Sequence, residues 1–76
     1  MNFPIVDMRA TGENICALRR QRGITVRELQ GMLGFSTPQA IYKWQHGQSL
    51  PTVDNLVALS AIFQVPIEAI LSVSAA

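Results

Sequence analysis

The stretch TVRELQGMLG, from Thr25 to Gly34, has little freedom in what it can become. Thr25 and Glu28 stand at the spacing of a capping box, in which the threonine hydroxyl accepts from the glutamate N–H and the carboxylate accepts from the threonine N–H. Val26, Leu29 and Leu33 then fall on one side of a helix, and Gly34 supplies the left-handed residue that ends it. Start, buried stripe and stop are all present within one short segment. A chain that contains it must be built around short helices packed through one face.

The same punctuation divides the rest of the chain. Thr11 is placed to cap a first helix running to about Arg22, with Ile15 and Leu18 inward and Gly23 beyond its end. Arg19, Arg20 and Arg22 sit in its last turn, where the helix dipole is negative. A third helix is expected to open with Thr37 as cap and Pro38 at the first position, where a missing N–H costs nothing, and to close at Gly47. Pro51 keeps Leu50 extended, and Thr52 caps a fourth helix through about Phe63, with Leu56, Leu59, Ile62 and Phe63 inward. Pro66 opens a short fifth helix carrying Ile67, Ile70 and Leu71. No segment reads as a strand, and the closing SVSAA is expected to fray.

With 76 residues the chain supports one small domain, burying roughly 60% of its unfolded surface. Hydrophobic residues make up 49% and charged ones 14%, which favours a packed globule over disorder. Cys16 is the single cysteine and has no internal partner, and no Cys/His spacing supplies the ligands of a metal site, so a reducing, cytoplasmic setting is expected. The opening MNFPIVDM lacks the basic start and continuous apolar run of a signal peptide and is read as part of the mature chain. Leu56 to Leu71 is apolar, but Ser60, Gln64 and Glu68 recur every fourth residue and Pro66 interrupts it. It reads as core, with no membrane partner. No paired nucleophile and base and no phosphate-cradling glycine loop is present, so neither an enzyme, a cofactor nor a small-molecule substrate is expected.

Charge is unevenly spread. All six basic residues lie in residues 1 to 47 with three acids, a balance of +3, whereas residues 48 to 76 carry only Asp54 and Glu68. The front half is suited to a polyanion, although solvated helix faces give the same pattern.

Within that half, FSTPQAIYKWQHG combines two patterns. Ile41 and Trp44 have the spacing of a buried stripe, while Thr37, Gln39, Lys43 and Gln45 are hydrogen-bonding side chains on the other faces. Helix two, the turn at Gly34 and this third helix make the arrangement of a helix-turn-helix. In its ordered series GENICALR, GITVRELQGMLG, AIYKWQHG, a proline-containing linker and DNLVALSAIFQVPIEAIL, the chain from Thr11 to Leu71 resembles the Cro and phage-repressor (XRE) family. That resemblance implies an all-α fold, a compact five-helix bundle of the lambda-repressor-like type. It also implies a sequence-specific transcriptional regulator of double-stranded DNA, usually a homodimer. Carried over by position, Leu29 and Leu33 match the core of the second helix and Gly34 its turn. Ile41 and Trp44 match the buried side of the recognition helix, and Gly47 the glycine ending it. The domain then spans 11–71, between an N-terminal arm, 1–10, and a C-terminal tail, 72–76.

Two positions depart from the family pattern. Gln30 stands where a small residue is common, with Gly31 beside it as a substitute for close helix approach, and the segment between Gly34 and Ile41 is one residue longer.

For reading bases the candidates are Thr37, Gln39 and Lys43. Glutamine pairs bidentately with adenine, and lysine donates to guanine or phosphate. Phosphate candidates are Arg19, Arg27, Ser36, Tyr42, Gln48 and Ser49. The last two lie where the family's loop follows the DNA backbone. Ser36 and Thr37 double as caps, Tyr42 as cover for the core edge, and His46, when charged, complements the negative helix end. A second functional reading is a protein-interaction module that kept the fold without strong DNA binding, supported by the modest net charge of +1 and the apolar MNFPIVDM arm.

Overall fold

The computed structural model describes residues 3–75. In chain order it contains β1 (Pro4–Val6), α1 (Met8–Gln21), α2 (Val26–Leu33), α3 (Gln39–Gln45), α4 (Val53–Phe63), a single 3-10 turn at Ile67–Ala69, and β2 (Val73–Ala75). The helical architecture is therefore as expected, but the fifth helix is reduced to that one turn. Met1, Asn2 and Ala76, at the ends of the arm and tail, lie outside the described residues.

All four helices stop by the same device. The chain passes through a left-handed residue at Gly23, Gly34, Gly47 and Gln64, with φ of 67°, 73°, 71° and 57°. The next N–H then reaches back five residues: Ile24 to the Arg19 carbonyl (3.0 Å), Phe35 to Gln30 (3.0 Å), Gln48 to Lys43 (2.9 Å) and Val65 to Ser60 (3.1 Å). In α1, α2 and α4 the side chain of that same acceptor residue donates in return. Arg19 Nη1 meets the Ile24 carbonyl at 2.8 Å, Gln30 Nε2 meets Phe35 at 3.2 Å, and Ser60 Oγ meets Val65. Ile24, Phe35 and Val65 each tuck against the core. Gln30 thus closes the turn of the helix-turn-helix, which gives a polar residue there a structural role. Gly31 does not serve close approach, because a Cβ built on it meets nothing within 4 Å.

The helix starts are less uniform. Thr25 and Glu28 form the expected capping box, with both bonds at 3.0 Å. The backbone N–H of Thr25, and then its hydroxyl, hold the Glu28 carboxyl below its ordinary range. Thr52 caps α4 through the Asn55 N–H at 3.3 Å. Thr11, in contrast, is not a cap. Helix α1 begins at Met8, and Asp7 caps it by accepting from the Ala10 N–H at 3.0 Å. An aspartate one turn earlier satisfies the same requirement, and the added turn buries Thr11 completely. Met8–Ala10, read from the sequence as arm, form that turn.

Nor does Thr37 cap α3. Ser36 to Pro38 bend without helical structure, Gln39 is the first helical residue, and no side chain caps it. Pro38 precedes the helix at φ −85°, ψ 3°, a backbone unlike the extended one that a capping threonine needs.

The termini meet in an antiparallel ribbon that pairs Pro4 with Ala75, Ile5 with Ser74 and Val6 with Val73. The expected fraying of SVSAA is therefore not what Val73–Ala75 do. A two-stranded ribbon is marginal on its own, and this one is anchored at its base. The Asp7 N–H donates to the Ser72 carbonyl (2.8 Å), the Ser72 N–H to the Thr11 hydroxyl (2.9 Å), and the Asn14 amide to the Ile70 carbonyl (3.1 Å).

Ile15, Leu29, Ile41, Trp44, Leu56, Leu59, Phe63 and Ile70 make one core drawn from every helix. Phe35 meets Trp44 edge to face at 5.8 Å. The tightest approach is between α1 and α3. A Cβ on Gly12 would lie 1.9 Å from the Trp44 carbonyl oxygen, and one on Gly47 would lie 2.8 Å from Arg9 Cα. Helix α3 is seated directly on the backbone of α1.

Candidate functional site

Helix α3 is short and exposed along one side, so its outer face is set by which residues its inner face commits. Ile41 and Trp44 are buried, and Ala40 is half-buried against the core. Gln45 is half-buried, and its Oε1 accepts from Arg19 Nε at 3.0 Å. Gln39, Tyr42, Lys43 and His46 remain outside, all exposed. Steps of three and four place them in one stripe. Tyr42, expected as cover for the core edge, is the aromatic member of this stripe. It is 44% exposed, and its ring stacks on His46 with centroids 6.4 Å apart and planes 17° from parallel.

The end of α3 breaks the pattern of the other three helices. Lys43 occupies the position whose side chain elsewhere turns back to bond the closing carbonyl, and Gln48 the position elsewhere filled by an inward apolar residue. Both are exposed. Helix α3 thus forgoes the apolar closure that Ile24, Phe35 and Val65 give the others. A cation and an amide are left side by side at its tip.

Ser36 and Thr37 are exposed at the other end of the helix, with no capping duty. Arg27 is exposed on α2, and Ser49 is half-buried in the loop after α3. Arg19 stands apart from these candidates. It is half-buried, and its Nε and Nη1 point into the protein, at Gln45 and Ile24. Two features that organise the site were missed from the sequence, the seat at Gly12 and the Arg19 to Gln45 bond. A lone glycine inside a helical pattern is a weak signal of close packing; nothing local signals the second.

A family model described as helix-turn-helix matches residues 17–70, which takes in α2, the turn and α3 entire. The chain belongs to the helix-turn-helix family, XRE type. No curated protein sequence matches it. Among solved structures, this helix-turn-helix chain is similar to the restriction-modification controller protein C.AhdI from Aeromonas hydrophila, with a TM-score of 0.75 and 17% identity, covering 84% of this chain and 96% of that one. It is also similar to the BldD DNA-binding domain of S. venezulae, with a TM-score of 0.72 and 19% identity over 87% and 97% of the two chains. A third likeness, to apo-HppE, has a TM-score of 0.77 and 21% identity but covers only 36% of that chain. At these identities the three establish the fold. Among the described residues, no helix is long and apolar enough to cross a membrane.

Proposed function

We propose that this helix-turn-helix protein is a transcriptional regulator that binds double-stranded DNA in a sequence-specific way, with α3 in the major groove. The observation that carries this reading is the exposed stripe of Gln39, Tyr42, Lys43 and His46 on a helix whose opposite side is fully committed to the core. In it Gln39 pairs with adenine, Lys43 donates to guanine or phosphate, and Thr37 reaches the base edge nearest the turn. Ser36, Arg27, Tyr42, Gln48 and Ser49 hold phosphates on either side, fixing register without reading sequence. C.AhdI, as a controller protein, and BldD, with its DNA-binding domain, support the same reading by name.

Paired as a homodimer, two such helices would meet half-sites about 34–36 Å apart. Val53 and Val57, exposed four residues apart on α4, supply apolar surface for the pairing. The alternative, an interaction module without strong DNA binding, rests on exposed Ile5 and Val73 on the terminal ribbon and exposed Phe3 just before it.

Selection of bound duplexes from a random pool, followed by binding titrations over a range of salt, separates the two. Gln39→Ala and Lys43→Ala are each expected to weaken the selected duplex by about 5- to 150-fold, the equivalent of ~1–3 kcal/mol per base contact. Failure to enrich any duplex would favour the interaction module, and undiminished binding by both variants would remove α3 as the reading face.

A further inference from the structure

Arg19 is the residue whose placement the reading of α3 does not absorb. Its side chain spans three elements. From α1 it donates through Nη1 to the Ile24 carbonyl (2.8 Å) in the turn leading to α2, and through Nε to Gln45 Oε1 (3.0 Å), at the last residue of α3. Its Nη2 lies 3.9 Å from Cys16 Sγ on its own helix. The main chain reinforces this, since the Ile24 N–H donates back to the Arg19 carbonyl at 3.0 Å. Arg19 and Ile24 are thus bonded in both directions, which holds the guanidinium at a set height over the end of α3 before Gln45 is engaged. A rigid fork held at one end positions what it grips at the other.

We infer that Arg19 is a positioning residue for the reading helix: by gripping Gln45 it holds the C-terminal end of α3, and therefore the direction in which Lys43 and Gln48 are presented. The inference rests on the proposed DNA-binding role of α3. The helix is seven residues long, ends in an exposed tip, and meets α1 at the Gly12 and Gly47 contacts. Those contacts stop α3 from moving toward α1, at Trp44 and again at Gly47. The Arg19 to Gln45 bond adds a directional tie one residue beyond Trp44, from a side chain already fixed at Ile24. On this assignment Arg19 itself does not contact phosphate.

The test uses the full chain with four substitutions: Arg19→Lys, Arg19→Met, Gln45→Ala and Gln45→Glu. In titrations against the selected duplex, Arg19→Lys and Gln45→Ala are expected to lose roughly tenfold in affinity, with the double variant losing no more than either alone, as coupled members of one hydrogen-bond network do. Gln45→Glu keeps an acceptor at the same reach and should retain most of the affinity. Arg19→Met should leave the slope of affinity against salt unchanged. A slope lower by about one unit in Arg19→Met, with Gln45→Ala binding like the parent, would mean that Arg19 holds a phosphate and would overturn the inference. Hydrogen exchange gives an answer independent of DNA. The amides of Tyr42 to Gly47 should lose protection by about tenfold in Arg19→Lys and Gln45→Ala, while that of Leu59 in α4 changes less. Should no duplex be found, equal protection across α3 in parent and variants would still reject the brace.

Discussion

Replacing Gly12 by alanine sets two well-measured effects against each other. Glycine in the interior of a helix costs about 1 kcal/mol relative to alanine, so on propensity alone Gly12→Ala should stabilise α1. The tertiary structure reverses the sign. The new Cβ would lie 1.9 Å from the carbonyl oxygen of Trp44, where contacts shorter than 3.0 Å are essentially never seen, so α1 and α3 would have to separate by at least 1.1 Å. The oxygen belongs to the backbone and cannot rotate away, and it already accepts from the Gly47 N–H at 3.0 Å. Moving it draws out Trp44 and Ile41, both buried. Overpacking costs ~1–3 kcal/mol, and a backbone collision belongs at the upper end. After subtracting the helix gain, Gly12→Ala should be less stable by about 2 kcal/mol, a fall in Tm of roughly 8–16 °C for a domain of this size. Gly31→Ala is the matched control, since that glycine is also inside a helix, is exposed and has open space around its Cβ position. It should gain about 0.5–1 kcal/mol. Thermal and urea unfolding of both variants beside the parent measure the difference. If Gly12→Ala melts at or above the parent temperature, the close seat of α3 on α1 is refuted.

Further outcomes follow from the same contacts. Thr11→Val keeps the buried shape but removes the acceptor of the Ser72 N–H; it should cost ~1–3 kcal/mol in urea unfolding and raise the exchange rate of the ribbon amides before that of the helices. Glu28 has a folded-state pKa depressed by its bonds to Thr25. Its contribution is therefore present above the ordinary carboxylate range and lost as pH falls through that range and on through the depressed folded value. Melting curves of the parent and Glu28→Gln should differ near neutrality and converge in acid, and a gap that persists in acid would argue against the carboxylate as the cause.

What was legible in the sequence was local. The capping box at Thr25 and Glu28, the cap at Thr52 and the stops at Gly23, Gly34 and Gly47 all involve atoms within five residues of one another, so residue type and spacing carry the information. The stripes containing Ile15, Leu29, Ile41, Trp44, Leu59 and Phe63 were equally readable, because helical period alone sorts inside from outside. Even so, Thr11 and Thr37 show the limit of local reading. Each has the side chain of a cap, but Asp7 takes the first role, and the bend at Ser36 to Pro38 leaves the second unfilled.

The exposed stripe on α3 follows from the same period, so the candidate surface could be drawn before its support was visible. The support itself was decided by tertiary contact. The Thr11 hydroxyl meets a residue 61 positions away, Arg19 meets one 26 positions away, and Gly12 meets Trp44 through backbone. Three-residue strands such as PIV and VSA have too few side chains to show a period, and only their meeting makes either a strand. Spacing along the chain encodes what neighbours do to one another. The direction of α3 depends instead on distances between helices, which belong to the packed core as a whole.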